Sequence, residues 1–154
     1  MRVGIISDTH GLLRPQAERA LRGVDLIVHA GDVGDPDILT RLKLIAPVFA
    51  VRGNVDIGLW AKELPLTTAV QAGGASLYVL HNLLELDLRP AAAKFDYVIS
   101  GHTHQPKQFE RQGVLYLNPG SAGPRRFHLP TTLALVDLAT KPRSAEFVEL
   151  LDSA

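Results

Sequence analysis

The sequence predicts an α/β fold, on three observations. Short apolar runs alternate with helical apolar spacings between residues 3 and 51, and the first three runs end at Asp8, Asp32 and Asn54. Beyond residue 66 the pattern changes to short strands and glycine-centred hairpins.

Val3-Gly-Ile-Ile6 is a short buried strand that delivers Ser7-Asp8 at its C-terminal edge. Pro15 suits the first turn of a helix in which Leu13, Ala17, Ala20, Leu21 and Val24 keep helical spacing, with Gly23 as its stop. Asp25 to Ala30 is a second strand, ending in Gly31-Asp32. Asp35-Pro36 supplies a cap and a first turn for a helix carrying Ile38, Leu39, Leu42 and Ile45, stopped before Pro47. Val48 to Val51 is a third strand, leading into Arg52-Gly-Asn54. This order requires helical crossovers and hence parallel strands. In open sheets of that kind, sites form beyond the carboxyl ends of the strands, where Asp8, Asp32 and Asn54 fall.

Thr67 to Gln71 and Ser76 to Leu80 flank Ala72-Gly-Gly-Ala75 as a hairpin, with His81 at the exit of its second strand. A short helix beginning near Pro90 is expected within Leu83 to Lys94. Tyr97 to Ser100 is a strand leading into Gly101-His-Thr-His104, and Gln108 to Arg111 pairs with Val114 to Leu117 around Gln112-Gly113. Thr131 to Leu138 and Ala145 to Leu150 are the closing strands. No repeat, low-complexity segment or linker interrupts the chain. With 154 residues, 46% of them hydrophobic, it is long enough for one well-buried core and too short for two ordinary domains. Residues 1–154 are therefore read as a single domain.

Sixteen basic residues balance sixteen acidic ones, so no overall field gathers long nucleic acid. The absence of cysteine excludes disulfides and thiolate metal sites, and leaves site chemistry to oxygen and imidazole. The run Val3 to Ile6 is too short for a signal peptide or a membrane span, so a cytoplasmic protein without membrane association is expected. Edge strands in the second half leave a homodimer or tetramer open.

Asp8, Asp32 and Asn54 offer oxygens, and His10, His81, His102 and His104 offer imidazoles, which is the ligand mix of a pair of divalent transition metals. Two such ions roughly 3.5 to 4 Å apart repel each other unless an anionic oxygen bridges them, and Asp32 is the candidate bridge. Gly31, Gly53 and Gly101 each remove a side chain where backbone and metals would crowd. Asp8 and His10 stand two apart, so on an extended chain they point the same way. Asn54 would add a neutral carbonyl oxygen that leaves the site electrophilic toward phosphate. Taken singly, an Asp-x-His is more often a loop or cap feature and His81 a satisfied strand-end histidine. The ordered set is what points to a metal centre.

Asp8-Thr-His10, Gly31-Asp32, Gly53-Asn54-Val-Asp56 and Gly101-His-Thr-His104 resemble, in order, the D-x-H, G-D, G-N and G-H-x-H motifs of the calcineurin-like metallophosphoesterases. The similarity is greatest to their small bacterial and archaeal phosphodiesterase branch and covers nearly the whole chain. It implies two stacked mixed β-sheets flanked by helices. By the same resemblance Asp8, His10, Asp32 and His104 would bind one metal, and Asp32, Asn54, His81 and His102 the other. Asp32, Asn54 and His81 would also be the catalytic set. The implied cofactors are two divalent transition metal ions, manganese first, with nickel, iron or zinc as alternatives. The implied reaction is hydrolysis of small phosphodiesters by a metal-bridging hydroxide that attacks phosphorus in line. Phosphomonoesters are the nearest alternative substrates.

Two departures stand out. Many relatives carry a leaving-group-protonating histidine after the G-N pair where this chain has Val55, so good leaving groups are favoured unless water or Asp56 helps. Relatives often continue past the His81 position with Gly and a further His, whereas here Asn82 follows, and the mouth of the site should differ. Around the ligands, His29 is a packed residue or one that orients a ligand. Arg52 either approaches phosphate or pairs near the end of the third strand. Asn118 stabilises the turn beside the metals. Arg125 and Arg126 are either solvated or in contact with phosphate. His128 is a surface or structural residue, and Trp60 and Leu59 belong to the core or to a partner surface. Two other function classes are a non-catalytic protein-binding scaffold, as this fold provides in the eukaryotic retromer coat, and a nuclease or nucleotide phosphodiesterase. The complete ligand set argues against the first. Neutral charge argues against long DNA for the second.

Overall fold

Two five-stranded mixed sheets pack face to face, and the computed structural model describes residues 1–126 and 128–151. In chain order the elements are β1 (Arg2–Ile6), α1 (Pro15–Ala20), β2 (Leu26–His29), α2 (Pro36–Lys43), β3 (Val48–Ala50), α3 (Leu59–Lys62), β4 (Thr67–Ala72) and β5 (Ala75–Leu80). A 3-10 turn (Leu83–Glu85) follows, then β6 (Tyr97–Ile99), β7 (Lys107–Arg111), β8 (Val114–Asn118), β9 (Thr132–Asp137) and β10 (Ala145–Glu149). The first sheet has the order β10-β9-β1-β2-β3 and the second β4-β5-β6-β8-β7. β1, β2 and β3 are parallel, as are β5, β6 and β8, so each sheet has parallel central strands and antiparallel additions.

Period-two burial places the layers. Val3 and Ile5 of β1 face the inter-sheet core with Leu26, Val28, Leu77, Val79, Tyr97, Ile99, Leu115 and Leu117. Ile6 and Ile27 face the other way, against Ala17 and Leu21 of the first helical segment and Ile38 and Leu42 of α2. Gly4 lies on that helix-facing side, and a Cβ there would collide with Leu21. Both hairpins close through two-residue turns at positive φ, Gly73-Gly74 (53° and 78°) and Gln112-Gly113 (52° and 79°), a geometry that matches the twist of the paired strands.

α1 is shorter than expected: it ends at Ala20, and a turn through Leu21 to Gly23 (φ 86°) follows. α2 is capped as expected, with Asp35 Oδ1 accepting from the Asp37 amide at 2.9 Å. No helix begins near Pro90. The Phe95 amide donates to Pro90 O, but Lys94 at φ 64° closes the segment after one turn. Among the described residues helices therefore cover only the outer face of the first sheet. The outer face of the second is covered by Leu83, Leu86, Leu88 and Phe95 of the irregular stretch after β5, packed on Tyr78, Leu80, Val98 and Tyr116. α3 was not expected, because a four-residue helix shows no periodicity. Trp60 packs partly against the helix-side core, while Leu59 is exposed.

Candidate metal centre

The loops that follow β1 and β2 are zipped together by backbone hydrogen bonds. The Asp8 amide donates to Gly31 O (3.0 Å), His10 to Asp32 O (2.9 Å) and Gly11 to Val33 O (2.8 Å). The second sheet joins through Gly101 N to His81 O (2.9 Å) and His102 N to Asp8 Oδ2 (3.1 Å). The close approach depends on missing side chains: a Cβ on Gly53 would overlap the Asp32 carboxylate, one on Gly101 the Ser7 hydroxyl, and one on Gly31 would lie 2.7 Å from His81 Nδ1.

The result is two facing groups, Asp8 with His10 and His104, and Asp32 with His81 and His102, each offering ligand atoms within 4.8 Å of one another. Asp8 Oδ1 lies 3.3 Å from His104 Nε2, 3.6 Å from His10 Nε2 and 3.9 Å from His81 Nε2. Asp32 Oδ2 lies 3.1 Å from His81 Nε2 and 3.6 Å from His10 Nε2, so this carboxylate touches both groups. Asn54 is exposed between Gly53 and Val55, whose amide donates to Asp32 Oδ1 at 3.0 Å.

Backbone conformation singles out the same residues. Among the described residues seven non-glycines have positive φ, and five of them are Asp8 (56°), His10 (46°), Asp32 (55°), His102 (73°) and His104 (64°). Asp and His tolerate this region better than most residues, and each such position still costs about 1 to 3 kcal/mol, which the surrounding hydrogen bonds must offset. Asp8 and His10 thus converge through two left-handed residues. They do not converge through the extended geometry expected from their spacing.

The remaining expected residues divide by what they touch. His29 is fully buried: its Nδ1 accepts from the Gly31 amide (3.1 Å) and its Nε2 lies 3.0 Å from Thr9 Oγ1, which donates to Val33 O (2.8 Å). It ties the Asp8 loop to the Asp32 loop from behind. Asp56 faces backbone amides. Its buried carboxylate accepts from the amides of Val33 (3.2 Å), Gly34 (2.9 Å) and Gly53 (2.9 Å), holding the Asn54 loop against the Asp32 loop. Asn118 Nδ2 donates to Gly101 O (2.9 Å) and Thr103 Oγ1 (3.1 Å), bracing the turn that carries His102. Arg52 forms no ion pair among the described residues, and its buried Nε has no hydrogen-bond partner there. Arg125 and Arg126 are exposed just past Gly123, whose Cα packs on the Asp8-Thr9 backbone; His128 is exposed too. The sequence reading overlooked Ser7, whose hydroxyl donates to Asp8 Oδ2 (2.6 Å), and Ser121, whose hydroxyl donates to Asp8 O (3.0 Å). Their only signal is being small polar neighbours of motif residues.

The charges fit a divalent cation. His81 Nδ1 sits 2.8 Å from Ala30 O and so carries the proton, which leaves Nε2 as a bare acceptor aimed at two carboxylate oxygens. Asp8 Oδ1, His10 Nε2 and His81 Nε2 converge, buried and without hydrogen-bond partners among the described residues, an arrangement that demands a proton or a metal between the acceptors. Burial alone would raise the Asp8 pKa, but the adjacent imidazoles of His10 and His104, the Ser7 hydroxyl and the nearby His81 hold it far below the usual carboxylate range. Burial likewise opposes ionisation of Asp32, and His81 and the Val55 amide outweigh it to lower that pKa. His81 is pushed up: the adjoining Asp32 carboxylate and the Asp8 charge overcome burial. Burial pushes His29 the other way, down to about 4, against the pull of Asp8 and Asp56.

Comparison with known proteins agrees with this geometry. Residues 1–141 match the calcineurin-like phosphoesterase superfamily domain, and the chain belongs to that family. It is 38% identical over 150 residues to a probable metallophosphoesterase of Methanothermobacter thermautotrophicus, covering 88% of this chain and 85% of that protein. It is 28% identical over 162 residues to phosphodiesterase YfcE of Escherichia coli, covering 89% and 88%. Among solved structures, an archaeal phosphodiesterase superposes with a TM-score of 0.80 at 25% identity, covering 97% of this chain and all of the other. Vps29 of Chaetomium thermophilum superposes with a TM-score of 0.78 at 17% identity over 96% of this chain and 93% of that one, a likeness of fold.

Proposed function

We propose that this chain, acting as a single domain over residues 1–154, is a cytoplasmic hydrolase of small phosphodiesters that uses two divalent transition metal ions, manganese first. The observation that carries the reading is the pair of facing groups whose buried acceptor atoms lack partners, with Asp32 in contact with both. In this reading Asp8, His10 and His104 hold one ion, Asn54, His81 and His102 the other, and Asp32 both. Bound there, the ions supply a water of lowered pKa and neutralise the phosphate oxygens.

The chain's own residues then have defined tasks. The Ala30 carbonyl fixes His81 in the tautomer that presents Nε2. Ser7 and the His102 amide hold Asp8 Oδ2, so that Oδ1 is turned into the site. Ligands set on strained backbone and braced from behind hold their geometry before substrate arrives, as electrostatic catalysis requires. Val55 cannot donate a proton, and Asp56 is engaged by three amides, so the departing oxygen leaves with help from solvent only. That favours esters of acidic alcohols or phenols. The fold shared with Vps29 raises a protein-binding role; the complete ligand set here supports turnover instead.

The test is hydrolysis of bis(p-nitrophenyl) phosphate and p-nitrophenyl phosphate by stripped protein resupplied with manganese, nickel, zinc or magnesium. Metal-dependent diester cleavage lost in Asp32→Asn is expected. Preference for the monoester would make the protein a phosphatase, and two bound metals without turnover of either ester would favour the scaffold reading.

A further inference from the structure

A cavity of about 290 Å³ opens beside His102, outside the ligand cluster. The lining includes His102 of the centre and Asn118, which braces its turn, so the cavity adjoins the candidate metal centre. The lining also includes Leu83 and Leu84 of the 3-10 turn and Phe109 and Tyr116 of the second hairpin. Those two rings stand directly opposite across β7 and β8 and stack with centroids 4.9 Å apart at 9°.

Two features favour an occupant from outside the chain. Leu84 is 93% exposed, and it is held out by design of the backbone: Asn82, which follows His81, accepts from the Leu84 amide through Oδ1 at 3.1 Å and starts the turn. Among the described residues Lys107 is the only lysine or arginine of the lining, its Nζ 5.5 Å above the Phe109 ring, and no carboxylate lines the cavity. An apolar cleft with one cation accepts a flat π-system and suits the single negative charge of a diester. Its volume is at the lower end of small-molecule pockets, about 300 Å³, which is room for one ring system.

Building on the hydrolase reading, we propose that this cleft is the subsite for one organic arm of the substrate, and that the preferred substrates are phosphodiesters carrying one flat, uncharged aromatic ester. Leu84 and Phe109 are its specificity-determining residues, and the second ester group extends toward solvent.

The experiment is calorimetric titration of the full chain loaded with manganese, using diphenyl phosphate, dimethyl phosphate and inorganic phosphate. Diphenyl phosphate should bind at least tenfold more tightly than dimethyl phosphate. Leu84→Ser, at an exposed position that leaves the core untouched, and Phe109→Ala should each cut that ratio at least threefold. Inorganic phosphate, which needs only the metals, should bind wild type and both variants within twofold of one another. Equal affinity for the two diesters, or a ratio unmoved by both substitutions, overturns the subsite and leaves the hydrolase reading intact provided phosphate still binds. Loaded protein that binds no phosphate at all overturns the hydrolase reading, and the subsite with it.

Discussion

Lowering the pH of metal-free protein from 7.5 to 4 should remove about 3 kcal/mol of stability through His29 alone. The ring is fully buried, and its hydrogen bonds fix the neutral form: Nδ1 must accept from the Gly31 amide, while Nε2 donates to a Thr9 hydroxyl whose own proton is committed to Val33 O. A second proton at Nδ1 would point at the Gly31 N–H. The folded pKa of about 4 lies below the ordinary 6.5 of the unfolded chain, so the unfolded chain takes up the proton first as pH falls. Stability carried by neutral His29 is complete above about pH 6.5 and is lost toward pH 4, with about 2 kcal/mol gone by pH 5. The neighbouring shifts act elsewhere. Asp8 and Asp32 are depressed, so their contributions fall away only in more acidic solution; His81 is raised, so its contribution is lost as pH climbs above 6.5. Urea unfolding in chelator from pH 7.5 to 4.5 reads the effect. His29→Asn keeps an acceptor near the Nδ1 position but cannot titrate, and should be about 2 kcal/mol less stable at pH 7.5 through a lost hydrogen bond and a small cavity. The two proteins should converge in stability as pH falls. Parallel stability curves, or a His29 ring that titrates near 6.5 by NMR, would refute the argument.

Two further outcomes follow from the same geometry. Asp56→Asn places an N–H₂ where three backbone amides converge, which should cost about 2 to 4 kcal/mol in unfolding experiments and weaken metal binding roughly tenfold or more as the Asp32 and Asn54 loops separate. Unchanged affinity in a metal titration would sever that link. Val55 is 41% exposed beside the centre, so Val55→His should be tolerated and should raise turnover of alkyl esters, whose leaving groups need a proton, by about tenfold to a hundredfold. Turnover of p-nitrophenyl esters should change little, and a uniform effect on both would argue against a missing proton donor.

The strands, both two-residue hairpins and the α2 cap were legible because they depend on local chemistry: alternation, left-handed turn residues and a side chain that reaches its own helix amide. The stretch from Leu83 to Lys94 was not, since Pro90 signals a helix start with equal force whether the following residues propagate it or, as here, close it at Lys94. Asp56 was legible as a motif residue, whereas the amides that its carboxylate accepts from were not, because they lie on two loops far apart in the chain.

By itself the sequence determined the α/β order, the motif set and the candidate ligand types, because those reside in residue type and short spacing. Tertiary structure alone decided how the ligands meet. The strained φ values of Asp8, His10, Asp32, His102 and His104 are held by contacts between loops far apart in the chain, with His29, Asp56 and Asn118 as the braces. It also decided that the exposed Leu84 and the stacked pair of Phe109 and Tyr116 line one cavity, since they come from the turn after β5 and from the distant β7–β8 hairpin.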